Sequence, residues 1–163
     1  MYKIGIIIAS DKGYAGERKD ECGKVITDAF IGLDFEIAEY KIVPDEREMI
    51  AETMREQVDC LGMDLILTSG GTGFSPRDIT PEATMDVIER QVPGIPEAMR
   101  QKSLEITSRA MLSRAVAGIR NRSLIINLPG SPKAVKECLE FVLPVLTHAL
   151  EILKGKTGEC ARK

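Results

Sequence analysis

The sequence predicts an α/β fold: one three-layer αβα domain over residues 1–163, with a mostly parallel central sheet. Three observations carry that expectation. Ile4 to Ala9 and Leu65-Ile66-Leu67 are apolar runs without alternation, as in strands covered on both faces. Segments with helical spacing separate the strand-like runs, and right-handed crossovers lay such a β-α-β-α-β order down as a parallel sheet. At 163 residues and 44% hydrophobic content, the chain suits a single core that buries about two thirds of its unfolded surface.

Ile4-Gly5-Ile6-Ile7-Ile8-Ala9 is the first strand. Cys22, Val25, Ile26, Ala29, Phe30 and Leu33 then recur at the i, i+3, i+4, i+7 spacing of a helix with one buried face, ending near Gly32. Phe35 to Val43 interleaves Glu36, Glu39 and Lys41 with apolar residues and reads as a strand nearer the sheet edge, closed by Pro44. Asp45 stands where an N-cap belongs. Glu48 follows three residues later, and Met49, Ile50, Thr53, Met54 and Val58 form the next helical face. Leu65 to Leu67 is the third strand.

Beyond it, Thr80-Pro81-Glu82 opens a helix predicted to reach about Arg90, which Pro93-Gly94 breaks. A helix is expected from Pro96 to Ile106. Short strands are expected at Ala115 to Arg120 and Ser123 to Leu128, around an Asn121-Arg122 turn. The last helix starts at Ser131-Pro132 and runs to about Leu153, bent at Pro144 where one backbone donor is missing. It carries more apolar residues than one face can hold, which predicts burial on two sides, by the domain itself or by a second subunit.

Composition narrows the function classes. The longest apolar run falls far short of the ~20 residues that span a bilayer, and no signal-peptide pattern opens the chain, so a soluble, cytoplasmic protein without a membrane partner is expected. The net charge of −3 argues against nucleic acid as the main partner. Cys22, Cys60, Cys138 and Cys160 show no C-x-x-C pairing and no histidine at zinc spacing, and are expected as reduced thiols, mostly in packed faces. Six basic residues against Glu105 between Arg100 and Arg122 form either a basic wall near an anionic ligand or a solvated surface with internal pairs. The lone histidine, His148, lies among core-like residues and is expected to be structural.

The chemistry-bearing residues follow strands, where ligands bind in open parallel sheets. Ser10-Asp11 follows the first strand, Asp45 the second, Thr68 to Gly73 the third, and Asn127 to Ser131 the last. In the third segment, Gly70, Gly71 and Gly73 allow positive φ and inward amides, which suits phosphate oxygens. A tight turn without ligand is the plainer alternative, and neither a Walker ending nor a dinucleotide fingerprint is present. Asp45 and Asp78 beside such a turn would repel an anion unless a cation stood between them, which makes Mg²⁺ the natural third party.

The run Thr68-Ser69-Gly70-Gly71-Thr72-Gly73-Phe74-Ser75-Pro76-Arg77-Asp78-Ile79-Thr80-Pro81-Glu82-Ala83-Thr84 resembles the signature of the MogA/MoaB family, closest to its MogA-type molybdopterin adenylyltransferases, which also form the G domain of gephyrin. Ser10-Asp11, Val43-Pro44-Asp45, Met111-Leu112-Ser113-Arg114, Ala117-Gly118-Ile119-Arg120 and Leu124 to Gly130 agree with family motifs in family order. The resemblance implies transfer of AMP from Mg²⁺-ATP to the terminal phosphate of molybdopterin, with a non-catalytic scaffold of the MoaB branch as the alternative. It implies that Asp45 and Asp78 are catalytic and metal-associated. Gly70, Gly71, Thr72 and Gly73 would hold phosphate, Thr72, Ser103 and Ser113 would face the pterin, and Ser10, Asn127 and Gly130 would face the nucleotide. It further implies a trimer, or a hexamer as in the MoaB branch, and hand-over to a molybdate-insertion protein. Cys22 departs from the serine that the family often has before Gly23.

Overall fold

The computed structural model describes residues 1–156, so Cys160 lies outside the described residues. Six strands form one sheet: β1 (Tyr2–Ala9), β2 (Phe35–Val43), β3 (Leu65–Ser69), β4 (Arg90–Gln91), β5 (Ala117–Arg120) and β6 (Ser123–Leu128). Their order is β2-β1-β3-β6-β5-β4. The first four in that order run parallel, while β5 pairs antiparallel with both β6 and β4. The half-polar β2 lies at the edge, and the continuous apolar strands lie inside. The order reverses between β1 and β3, so a crevice is expected beyond their carboxyl ends.

Six helices accompany the sheet: α1 (Asp11–Tyr14), α2 (Cys22–Ala29), α3 (Arg47–Arg55), α4 (Thr80–Met85), α5 (Gly94–Leu104) and α6 (Pro132–Leu153). Alternate residues of β1 enter different cores, which is why the strand shows no polar alternation. Ile4, Ile6 and Ile8 pack with Ile26, Met99, Leu139 and Leu146 of α2, α5 and α6. Ile7 and Ala9 pack on the other face with Ile50 and Met54 of α3 and Ala83 of α4. Each isoleucine so covered contributes about 1.5–3 kcal/mol relative to exposure. No helix among the described residues is long and apolar enough to cross a membrane.

Several boundaries differ from the sequence reading, each for a physical reason. Helix α4 stops at Met85 because Arg90 and Gln91 pair as an edge strand with Ile119 and Gly118. Helix α5 begins at Gly94 and ends at Leu104, two residues to the amino-terminal side of the Pro96–Ile106 span, and β5 begins at Ala117 rather than Ala115. Helix α6 stays unbroken through Pro144, with Val142, Leu146 and Leu150 buried around that position and Ser131 Oγ accepting from Ala134 N at 3.3 Å as the cap. His148 is solvent-exposed, 3.8 Å from Glu151, and so is no core residue. Cys60 is exposed as well, whereas Cys22 and Cys138 are buried. The basic stretch forms no single wall: Arg100 binds the Ala115 carbonyl at 2.9 Å, while Arg120 pairs with Asp59 at 2.6 Å.

One internal polar group is left unsatisfied. A π-helical turn, Glu56–Cys60, follows α3 and turns the buried Gln57 toward β1, where neither amide atom has a hydrogen-bond partner. A Cβ on Gly5 would lie 2.1 Å from Gln57 Oε1, so the glycine makes room for the amide. Because an unpaired buried amide costs about 1–3 kcal/mol, Gln57→Met is expected to raise stability by up to that amount in urea unfolding. Gly5→Ala, which closes the space the amide occupies, is expected to lower it.

Candidate functional site

The site begins with three strand ends drawn together. Gly70 sits at φ 96°, and a Cβ there would fall 2.4 Å from the Ala9 carbonyl oxygen. A Cβ on Gly130 would lie 3.4 Å from Gly70 Cα, and Ser69 Oγ donates to Pro129 O at 2.7 Å. The ends of β1, β3 and β6 therefore meet at a point that only glycine fits. Gly71, at φ 67°, continues the turn.

The carbonyls of this turn are held on the protein side. Thr80 N donates to Gly71 O at 3.1 Å, Arg114 N to Thr72 O at 2.8 Å, and Arg114 Nε to Gly73 O at 2.7 Å. A turn whose acceptors are already used can present its amides to an anion without a competing carbonyl.

Two carboxylates flank the turn. A Cβ on Gly71 would lie 3.2 Å from Asp45 Oδ1, and one on Gly73 would lie 2.9 Å from Asp78 Oδ2. Asp45 does not cap its own helix: Glu46 takes the cap position, without a side-chain bond. Instead Asp45 Oδ2 accepts from Asp11 N at 2.9 Å, and Asp11 Oδ1 accepts from Asp45 N at 3.0 Å, a reciprocal clasp between the loops after β1 and β2. Arg77 grips both oxygens of Asp11 at 3.0 Å and Glu46 at 2.7 Å. Its hydrogen bonds hold the Asp11 carboxyl below the usual range. Burial pushes Asp45 the other way, and the like charges of Asp11 and Asp78 add to that rise against the Asp11 amide and Arg77. Asp78 is braced by Ser75 N, which donates to its Oδ2 at 3.0 Å.

The turn separates two cavities. A polar one of 440 Å³ is lined by Ser10, Asp20, Asp45, Gly70, Gly71, Asp78 and Gly130, among others. A mostly apolar one of 340 Å³ is lined by Thr72, Gly73, Met99, Ser103, Arg109, Ser113 and Cys138, among others. A larger hollow of 780 Å³ on the opposite rim, beside Gly62, Asp64 and Arg122, contains none of the predicted site residues. The structure thus brings together every predicted site residue except one. Asn127 is fully buried, its Nδ2 donating to Thr68 and Thr84 hydroxyls at 3.0 and 2.9 Å and its Oδ1 accepting from Val116 N at 3.2 Å. It braces β6 from inside and reaches neither cavity.

A family model described as a probable molybdopterin binding domain matches residues 5–148. The chain belongs to this family. It is 44% identical over 157 residues to the molybdopterin adenylyltransferase of Helicobacter pylori, covering 93% of this chain and 88% of that protein. Among solved structures, the molybdopterin biosynthesis enzyme MoaB from Thermus thermophilus is 52% identical with a TM-score of 0.91, covering 98% of this chain and 100% of that one. The molybdopterin biosynthesis Mog protein from Mycobacterium ulcerans is 38% identical with a TM-score of 0.88, covering 94% and 99%.

Within this molybdopterin-binding domain, sequence reasoning passed over Asp11 as a clasp, Arg77 as its counterion, and Arg114 as the brace of the turn. Arg77 and Arg114 lie inside the family-like motifs, but only their contacts reveal the roles. The Asp45 midpoint is expected above the usual carboxylate range, and Asp78→Asn should lower it by removing one like charge. A ¹³C carboxyl titration of the two forms measures both.

Proposed function

We propose that this chain transfers AMP from Mg²⁺-ATP to the terminal phosphate of molybdopterin, giving adenylylated molybdopterin and pyrophosphate. The observation that carries this reading is one amide-bearing turn acting as the shared wall of two cavities, an acidic polar one and a mostly apolar one. The polar cavity suits the nucleotide phosphates, with Ser10, Gly70, Gly71 and Gly130 along it. The other suits the pterin, with Thr72, Ser103 and Ser113 in its wall.

The reaction needs positioning and charge neutralisation more than proton transfer. The attacking group, an oxygen of the molybdopterin phosphate, is already anionic, so no general base is required. That oxygen bonds to the α-phosphorus of ATP, the bond from that phosphorus to the bridging oxygen breaks, and pyrophosphate leaves with the electron pair. The turn stabilises charge on the phosphoryl oxygens through fixed backbone donors.

Asp45 and Asp78 would hold the magnesium ion, which supplies charge neutralisation on the phosphates when bound. Their setting fits. Among the described residues no group of three or more histidine, cysteine or acidic side chains could hold a metal alone, and Mg²⁺ is usually held by one or two carboxylates plus substrate phosphates. The buried Thr80 hydroxyl, which has no hydrogen-bond partner, faces the same point beside Gly71 as Asp45. A homo-oligomer, a trimer by family resemblance, is supported by Phe141, Val145 and Ile152, which leave apolar surface exposed along α6. Action in the cytoplasm and hand-over to a molybdate-insertion protein complete this reading.

With molybdopterin, ATP and Mg²⁺ the protein is expected to release pyrophosphate. Asp78→Ala and Asp45→Ala should each slow release by about 100-fold or more while molybdopterin binding persists. Normal turnover by either variant overturns the role of the acid pair. A wild type that binds molybdopterin and consumes no ATP overturns the reaction.

A further inference from the structure

We propose that Arg114 is a positioning residue that couples the two cavities, setting the glycine turn and the aim of Asp78 from the wall of the apolar cavity. This inference rests on the adenylyl-transfer reading above.

The geometry is specific. Arg114 lies between Ser113 and Ala115, both in the wall of the apolar cavity. That segment is held from behind, where Arg100 Nη1 donates to Ala115 O at 2.9 Å and Val116 N donates to Asn127 Oδ1 at 3.2 Å. From this fixed wall the Arg114 side chain crosses to the polar side. Its Nε donates to Gly73 O at 2.7 Å, its Nη2 to Asp78 O at 3.0 Å, and its Nη1 pairs with Glu82 on α4. Its own amide holds Thr72 O at 2.8 Å. One residue therefore secures two of the three held carbonyls of the turn and the backbone of the acid beside it.

Two features separate this role from direct phosphate binding. The guanidinium is already paired with Glu82, so its charge is matched within the protein. Its donors are spent on carbonyls rather than aimed into the polar cavity. Only a planar, multi-donor group can span these three acceptors, which lysine cannot do. A ligand that shifts the 113–115 wall must also shift Asp78 and Gly73, because the same side chain joins them.

The test is Arg114→Lys, which keeps a positive charge opposite Glu82, with the fold checked by circular dichroism. Because a displacement of about 1 Å in such a site costs about 100-fold, kcat should fall by about that factor while KM for molybdopterin changes little. In the Asp78→Ala background the same substitution should cost far less, since much of its effect passes through Asp78. A readout free of turnover is the change in ATP affinity on adding molybdopterin, which should be present in the wild type and lost in Arg114→Lys. Wild-type kcat in Arg114→Lys, a full additive loss in the double variant, or undiminished coupling in Arg114→Lys overturns the proposal. An inactive wild type that nevertheless shows the coupling, lost in the variant, overturns the reaction and leaves the role of Arg114 standing.

Discussion

The contact between Gly70 and the Ala9 carbonyl governs the site. A side chain there would meet backbone that cannot move aside, so the approach of β3 to β1 depends on the absence of a Cβ. Gly130 repeats the condition on the β6 side. With the three strand ends drawn in, their loops share one rim, and residues separated by much of the chain come within reach of a common ligand. Asp45 and Asp78 owe their proximity to the turn to this convergence.

Charge is arranged around that rim with arginines behind and acids in front. Arg77 neutralises Asp11 and Glu46 on the outer side, and Arg114 neutralises Glu82 while bracing the turn. Exposed pairs of this kind contribute little stability one by one. Their value here is geometric, because each fixes a loop. What remains in front is a half-buried Asp45 whose negative charge is opposed by burial and by its acidic neighbours. A divalent cation arriving with a triphosphate would relieve that opposition, which links the electrostatics to the family's chemistry.

Much of this was legible in the sequence because buried strands and glycine turns leave local marks. The unbroken apolar runs of β1 and β3 gave their central places, and the charges of β2 gave its edge position. Gly70 and Gly71 were readable because positive φ is a property of single residues. Asp45 was misread as a cap since a carboxylate after a proline has that local use, whereas its partner Asp11 lies 34 residues away in sequence. Asn127 was misread because a polar residue at a strand end commonly faces a ligand, while here register places it opposite Thr68 inside the sheet. The two-residue β4 carries too few positions to show a period.

The sequence by itself determined the fold class, the order of the parallel strands up to β3, the family, and the residue types that gather beyond the strand ends. These depend on periodicity and backbone freedom, which act over a few neighbouring residues. Tertiary structure alone decided that the turn has two sides, that Gly70 and Gly71 face one cavity while Thr72 and Gly73 face the other, and that Arg114 ties them together. Such facts depend on which carbonyl each donor meets across the folded chain, and no local spacing encodes that.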